Sequence, residues 1–339
     1  HMRPGGLMRP NQISRDFHTG IVVENGKVTK TIPAIVQGGS IEDGKVEGVY
    51  MASREDSFNG IVVDGEGECT IKDVKADFDG FGDNDFLGVG CAVTVVGNPT
   101  VTIEDCDFTV NGVTRCAVHV GGTSTVTVKN TKMTNICPED TWPGCFSWQV
   151  GFCGSNRLAQ FTDAANVTYD GCDLKTNGWG ILSIDGTDGG QTMLVKNTRM
   201  ELSGPKAHGY GAFCIGDNEV IYDNCDVDVY GYPLLMMGME GKGKASILNS
   251  RIKGRRYGVM INGDDNSVLT IKDSDFKTGK STFCVHGAST IIDVENTSMT
   301  AANGTIVQLM DTDQCGMAMA DFHIPVGVVD EYVEGRDLS

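Results

Sequence analysis

The sequence predicts an all-β chain, wound as one single-stranded, right-handed parallel β-helix of about 9–11 coils. Three observations carry that expectation: a repeat of about 25 residues, an Asn/Asp/Gly column in one phase of it, and period-two apolar alternation with no sustained 3.6-residue stripe.

The repeat reads VTIEDCDF (101–108), VTVKNTKM (126–133), VTYDGCDL (167–174), MLVKNTRM (193–200), VIYDNCDV (220–227), ASILNSRI (245–252), LTIKDSDF (269–276) and IDVENTSM (292–299). CTIKDVKADF (69–78) is a looser copy. Its turn position holds Asp73, Asp105, Asn130, Gly171, Asn197, Asn224, Asn249, Asp273 and Asn296. Such residues suit a sharp bend because they tolerate left-handed backbone and can hydrogen-bond a neighbouring coil. The next residue is small, as at Cys106, Thr131, Thr198 and Ser250, and the one two further on, such as Phe108, Met133 or Met200, is expected to fill the interior. Each unit adds a second apolar run, for example CAVHVG (116–121) or GAFCIG (211–216). Units this small close no core alone and must stack. The six-residue rhythm of left-handed β-helices is absent, which selects the right-handed form. Residues 1–56 read as opening coils and a cap, 57–316 as the β-helix, and 317–339, where the phase is lost, as a C-terminal cap or tail.

Composition narrows the partners. Lys and Arg total 27 against 45 Asp and Glu, a formal charge of −18 that disfavours nucleic acid. No apolar run approaches the roughly 20 residues of a membrane-spanning helix. The 12 cysteines are too dilute for a disulfide scaffold, and several occupy strand-like runs as small filler. Mostly free thiols are expected, at most one or two disulfides, and with them a slight lean toward a cytoplasmic setting, with secretion the alternative if a signal peptide was trimmed. Cys137, Cys145 and Cys153 lack the paired spacing of a zinc knuckle.

With the bend column and coil length in place, the chain resembles the right-handed parallel β-helix superfamily, the pectin-lyase-like fold, over about residues 57–316. The resemblance implies the fold. It covers pectate lyases, polygalacturonases, alginate epimerases and non-catalytic adhesins alike, so it leaves the chemistry open. RIK (251–253) and DD (264–265) stand in the wrong order for a polygalacturonase, and no GHG or NTD accompanies them. Calcium, which pectate lyases hold in a carboxylate cluster, would have only Asp185 and Asp217 on the outward floor. No cofactor is expected, and calcium is the alternative.

A uniform rod has no pocket, so departures from the repeat locate the site. The 41-residue step from Asn130 to Gly171 reads as two insertions, 135–144 and 152–166, flanking a CFSWQV strand (145–150). Loops 79–90 and 203–211 join the first as one wall, with 152–166 as the other. The floor is expected from outward residues of strands 91–96, 116–120, 145–150, 181–186 and 211–216. His119, Gln149, Ser183 and Asp185 then face out, below His208 and Lys206. His119 or His208 suits proton transfer, and Asp185 is the carboxylate partner. Lys206 or Arg157 suits stabilisation of developing negative charge. Asp140, Trp142, Gln149, Arg157, Tyr210 and Asp217 are the expected substrate contacts, the aromatics stacking on sugar rings.

The leading expectation is a carbohydrate-active enzyme of lyase or hydrolase type, acting on a glycan or glycoside in this groove. A lyase would use a histidine base with Lys206 or Arg157, and a hydrolase two carboxylates among Asp140, Asp185 and Asp217. The alternatives are a non-catalytic surface or ligand-binding module, and a cofactor-independent isomerase or lyase acting on a small non-sugar molecule.

Overall fold

The computed structural model describes residues 18–33, 35–82, 85–112, 114–136, 157–185, 189–203, 209–237, 242–262, 267–286 and 290–309. They form a right-handed parallel β-helix of pectin-lyase-like type. Three long sheets run the length of the rod, one strand from each in every coil. The coil stack begins at Thr19–Glu24, which pairs in parallel with Asn59–Asp64. At that end the antiparallel strands Lys27–Thr31, Val36–Gln37 and Ser40–Glu42 close the three sheets. These short strands, rather than the first coil, form the outer sheet edges at this end, and short edges are poor templates for association. Among the described residues the only helical element is the short turn Asp85–Leu87.

One coil shows why the sequence folds this way. Val93–Val95 lies in the first sheet, Thr100–Glu104 in the second and Asp107–Asn111 in the third, with the bend at Asp105 between the last two. All nine bend residues named from the sequence have positive φ, from +46° at Asn130 and Asn296 to +69° at Gly171. Asn, Asp and Gly tolerate that conformation at least cost. The column is solvent-facing at every coil, however, rather than an interior ladder. Its side chains bond along the surface: Asn224 Nδ2 donates to Asn197 Oδ1 at 2.8 Å, and Asn197 Nδ2 to Asp170 Oδ1 at 3.0 Å.

The following small residue is the buried one. Thr198 Oγ1 donates to the Lys196 carbonyl at 2.8 Å and accepts from the Cys172 backbone N–H at 3.2 Å. Ser250 Oγ likewise accepts from Cys225 N–H at 3.0 Å. Where Cys takes the place, its thiol donates to a carbonyl, as Cys225 does to Val195 at 3.2 Å. Two residues on, Phe108, Met133, Leu174, Met200, Val227, Ile252 and Phe276 are buried in the central core, as expected.

The second and third sheets alternate buried inward and exposed outward residues, as in Thr125–Lys129. The first sheet does not. Val118–Val120, Arg157–Phe161 and Gly180–Ile184 are buried on both faces, so the outer face of this sheet is covered as well. Outside the main core a second apolar cluster, including Trp179, Tyr210, Phe213, Tyr232 and Met260, lies on that face.

Candidate functional site

Pairing register puts Thr94, His119, Gln160, Ser183, Phe213, Leu235, Met260 and Cys284 in one outward row of the first sheet. The row is polar over its first four members and apolar beyond them. The candidate site is the polar half.

The strand next to Val118–Val120 is Arg157–Phe161, which in turn pairs with Gly180–Ile184. The expected floor strand at 145–150 is therefore replaced by 157–161. Gln160 takes the floor position assigned to Gln149, which lies outside the described residues. The correction has a geometric consequence. Lys132–Asn135 precedes the insertion and Asn166–Asp170 follows this strand, so the extra length falls at one corner, between residues 135 and 157. Of the second wall expected from 152–166, residues 157–161 belong instead to the floor, and only a short turn joins them to Asn166–Asp170.

His119 faces outward as expected, yet it is fully buried rather than open to a groove. The segment after the Asp85–Leu87 turn lies across it. A Cβ on Gly88, where φ is +72°, would sit 2.8 Å from His119 Cδ2 and 2.7 Å from Thr94 Cγ2. Thr94 Oγ1 fastens this segment by donating to the Gly88 carbonyl at 2.7 Å. The 79–90 loop thus forms a roof over His119, not a wall beside it.

One coil further along, Arg157, Gln160, Ser183, Asp185 and Tyr210 converge. Arg157 Nη1 donates to Asp185 Oδ2 at 2.5 Å and to Ser183 Oγ at 3.2 Å. Gln160 Nε2 donates to the same Asp185 oxygen at 2.7 Å. The Ser183 and Tyr210 hydroxyls are 2.8 Å apart. The Arg157 guanidinium lies 4.7 Å from the Phe86 ring centre and 5.6 Å from that of Trp179. Tyr210 meets Trp179 edge-on at 4.9 Å. Gly180 makes room for this packing, since a Cβ there would stand 2.3 Å from the Tyr210 ring. The side chains of Arg157 and Asp185 are 2% and 8% exposed, so the pair is held in a low-dielectric setting where each charge depends on the other. Both bonds to Asp185 end on Oδ2. Gln160 Oε1 is buried and accepts no hydrogen bond among the described residues.

Asp217 lies elsewhere. It is exposed on the rim of a separate cavity of about 380 Å³ with Gln191, Glu219, Lys242 and Lys244, and its carboxylate caps the Lys242 N–H at 2.6 Å. The structure therefore joins Arg157, Asp185 and Tyr210, leaves His119 sealed one strand away, and sets Asp217 apart. His208, Lys206, Asp140 and Trp142 lie outside the described residues. Sequence reasoning missed Gln160 and Phe86 as members; the alternation of RLAQF was the available signal. Among the described residues, no group of three or more His, Cys, Asp or Glu is placed to hold a metal ion. Nor is any helix there long and apolar enough to cross a membrane.

Fold and register define a pectin-lyase-like right-handed β-helix. No protein-family model and no curated protein matches the chain. Among solved structures it is similar to two mutants of the periplasmic alginate epimerase AlgG, one double and one single. Identity is 10% in both, with TM-scores of 0.32 and 0.27; the matches cover 82% of this chain and 84% and 83% of theirs. At these scores no residue role is carried across.

The lean toward a cytoplasmic setting is corrected here. The matched structures are of a periplasmic enzyme, and the thiols behind that lean carry no information on compartment. All eight described cysteines are free and buried. Burial pushes Cys106 and Cys214 up to about 12 and Cys69, Cys172 and Cys225 up to about 11. Thiols so protonated are unreactive in either redox environment.

Proposed function

We propose that the protein is a carbohydrate-active β-helix enzyme of lyase or hydrolase type, working at the Arg157–Gln160–Asp185 cluster. The supporting observation is convergence: two opposite charges, an amide and two hydroxyls meet on the outer face of the first sheet, beside the corner with the longest insertion. In this reading Asp185 is the acid–base carboxylate, and Arg157 steadies negative charge that develops on the sugar. Gln160 Oε1, a buried acceptor beside the carboxylate, suits a sugar hydroxyl, and the buried Trp179 and Tyr210 rings pack against the cluster. The remaining sequence candidates, His208, Lys206, Asp140, Trp142 and Gln149, lie outside the described residues and are proposed as further members on the sequence argument alone. Asp217, exposed at a separate cavity, is left out of the proposed site.

The depth of the ion pair favours one other reading, a non-catalytic glycan-binding rod in which the cluster only fastens two coils. Turnover separates the two. Wild type is assayed on polyuronates and neutral glycans for unsaturated uronate absorbance and for new reducing ends. Asp185→Asn is expected to lower turnover by at least about tenfold, and by roughly 10²- to 10⁴-fold where the carboxylate carries the proton transfer. Glycan binding without turnover by wild type would select the binding rod, and full activity in Asp185→Asn would remove the site.

A further inference from the structure

Two outward rows flank the bend column, and both alternate in charge from coil to coil. On the second sheet the row runs Glu47, Lys72, Glu104, Lys129, Asp170, Lys196, Asp223, Leu248, Lys272, Glu295. On the third it runs Lys75, Asp107, Lys132, Asp173, Arg199, Asp226, Arg251, Asp275. Each row contains seven directly paired charged neighbours, every one of opposite sign, although acids outnumber bases 45 to 27 in the chain. Three are closed ion pairs: Arg251 Nε to Asp226 Oδ1 at 2.6 Å, Lys196 to Asp170 at 3.8 Å and Lys272 to Glu295 at 3.9 Å. The rest of the outer surface does not follow this rule. On the other outward row of the third sheet Glu201 is paired with Asp228, and Lys253 with Lys277.

We infer that the two rows form a charge code that fixes the order in which coils stack. Interior packing supplies less such information where neighbouring inward positions are near-equivalent: Val101, Val126, Val167, Met193 and Val220 succeed one another in a single column. Parallel strands spaced roughly 4.8 Å apart place outward charges in direct cross-strand contact, where like signs repel. A coil displaced by one step meets its own sign along both rows. A two-step displacement restores the alternation, but must bridge twice the rise with the same short turns. The code matters most across the long step between Asn135 and Arg157, after which the chain must pair with the correct neighbour. There Lys129 meets Asp170 and Lys132 meets Asp173. Correct return is what brings Arg157 and Gln160 beside Asp185. The inference rests on the register alone and stands whether or not the protein is an enzyme.

The test inverts the code at the insertion. Lys129→Glu/Lys132→Glu places four acids around two new ones, while Lys30→Glu/Lys277→Glu changes net charge equally without breaking either row. At low salt the first variant is expected to melt several degrees below wild type and to refold from urea with at least twofold lower native yield. The control should stay within about two degrees. In 1 M salt, where screening acts over roughly 3 Å, most of the difference should vanish. A variant too unstable to refold is replaced by Lys129→Gln/Lys132→Gln, expected midway. The terminal pair gives an independent arm, because Leu248 isolates it: Lys272→Glu should lower melting, and Lys272→Glu/Glu295→Lys should restore it. Equal behaviour of code and control variants, a salt-independent loss, or no restoration by the swap would overturn the inference.

Discussion

Arg157→Met is the most informative single change at the cluster. It deletes the guanidinium that donates to Asp185 at 2.5 Å and Ser183 at 3.2 Å, and leaves a carboxylate only 8% exposed with one donor, Gln160. Breaking a buried pair from one side costs about 3–5 kcal/mol, mostly as the penalty of stranding the remaining charge. Replacing both partners in Arg157→Met/Asp185→Leu removes both charges, and is expected to cost under about 2 kcal/mol because apolar replacement of a buried pair is often near neutral. A stacked rod need not unfold in one step, so the cost is best read locally. Native-state hydrogen exchange of amides in 157–161 and 180–185 should accelerate roughly 10²- to several times 10³-fold in the single variant and far less in the double one. If the single change costs under about 1 kcal/mol, or the double one costs the sum of both singles, the two charges do not depend on each other and the electrostatic account of the cluster is wrong.

Other consequences follow from the coil chemistry. The buried thiols should resist alkylation at pH 8 in the folded protein and react fully once it is unfolded. Their raised folded values mean that stability is intact below the unfolded thiol range of roughly 8.5. It is lost as pH climbs toward the folded values of about 11 to 12, so melting should fall across that window, less steeply in Cys172→Ser/Cys225→Ser. At the bend, Asn197→Leu should cost about 1–2 kcal/mol, from left-handed strain at φ +52° and two surface hydrogen bonds, while Asn197→Gly, which keeps the conformation, should cost clearly less. Equal melting of the two bend variants would assign the column to side-chain bonding alone.

The sequence revealed the rod because stacking imposes a period. The bend column, the small buried follower and the filler two residues on each recur in phase, and each has a physical reason to do so. Alternation also told correctly that His119, Ser183 and Asp185 face outward. It could not tell what lies over them. The roof over His119 depends on Gly88 approaching the ring closely, a tertiary contact with no periodic signature. The floor strand at 157–161 was hidden for a related reason. Its outward Arg157 and Gln160 are buried, so RLAQF reads as loop while the more apolar CFSWQV reads as strand. Burial on both faces of the first sheet is where polar residues need partners most, and those partners come from other coils.

The central claim, that Asp185 and its neighbours are the working site, is tested most directly by a crystal structure with a bound oligosaccharide. The ligand would be one that wild type is first shown to bind or turn over. The account predicts a sugar hydroxyl or glycosidic oxygen about 3 Å from Asp185 or Gln160. Sugar bound only elsewhere, for example along the exposed corner lined by Asn249, Asp273 and Asn296, would contradict it.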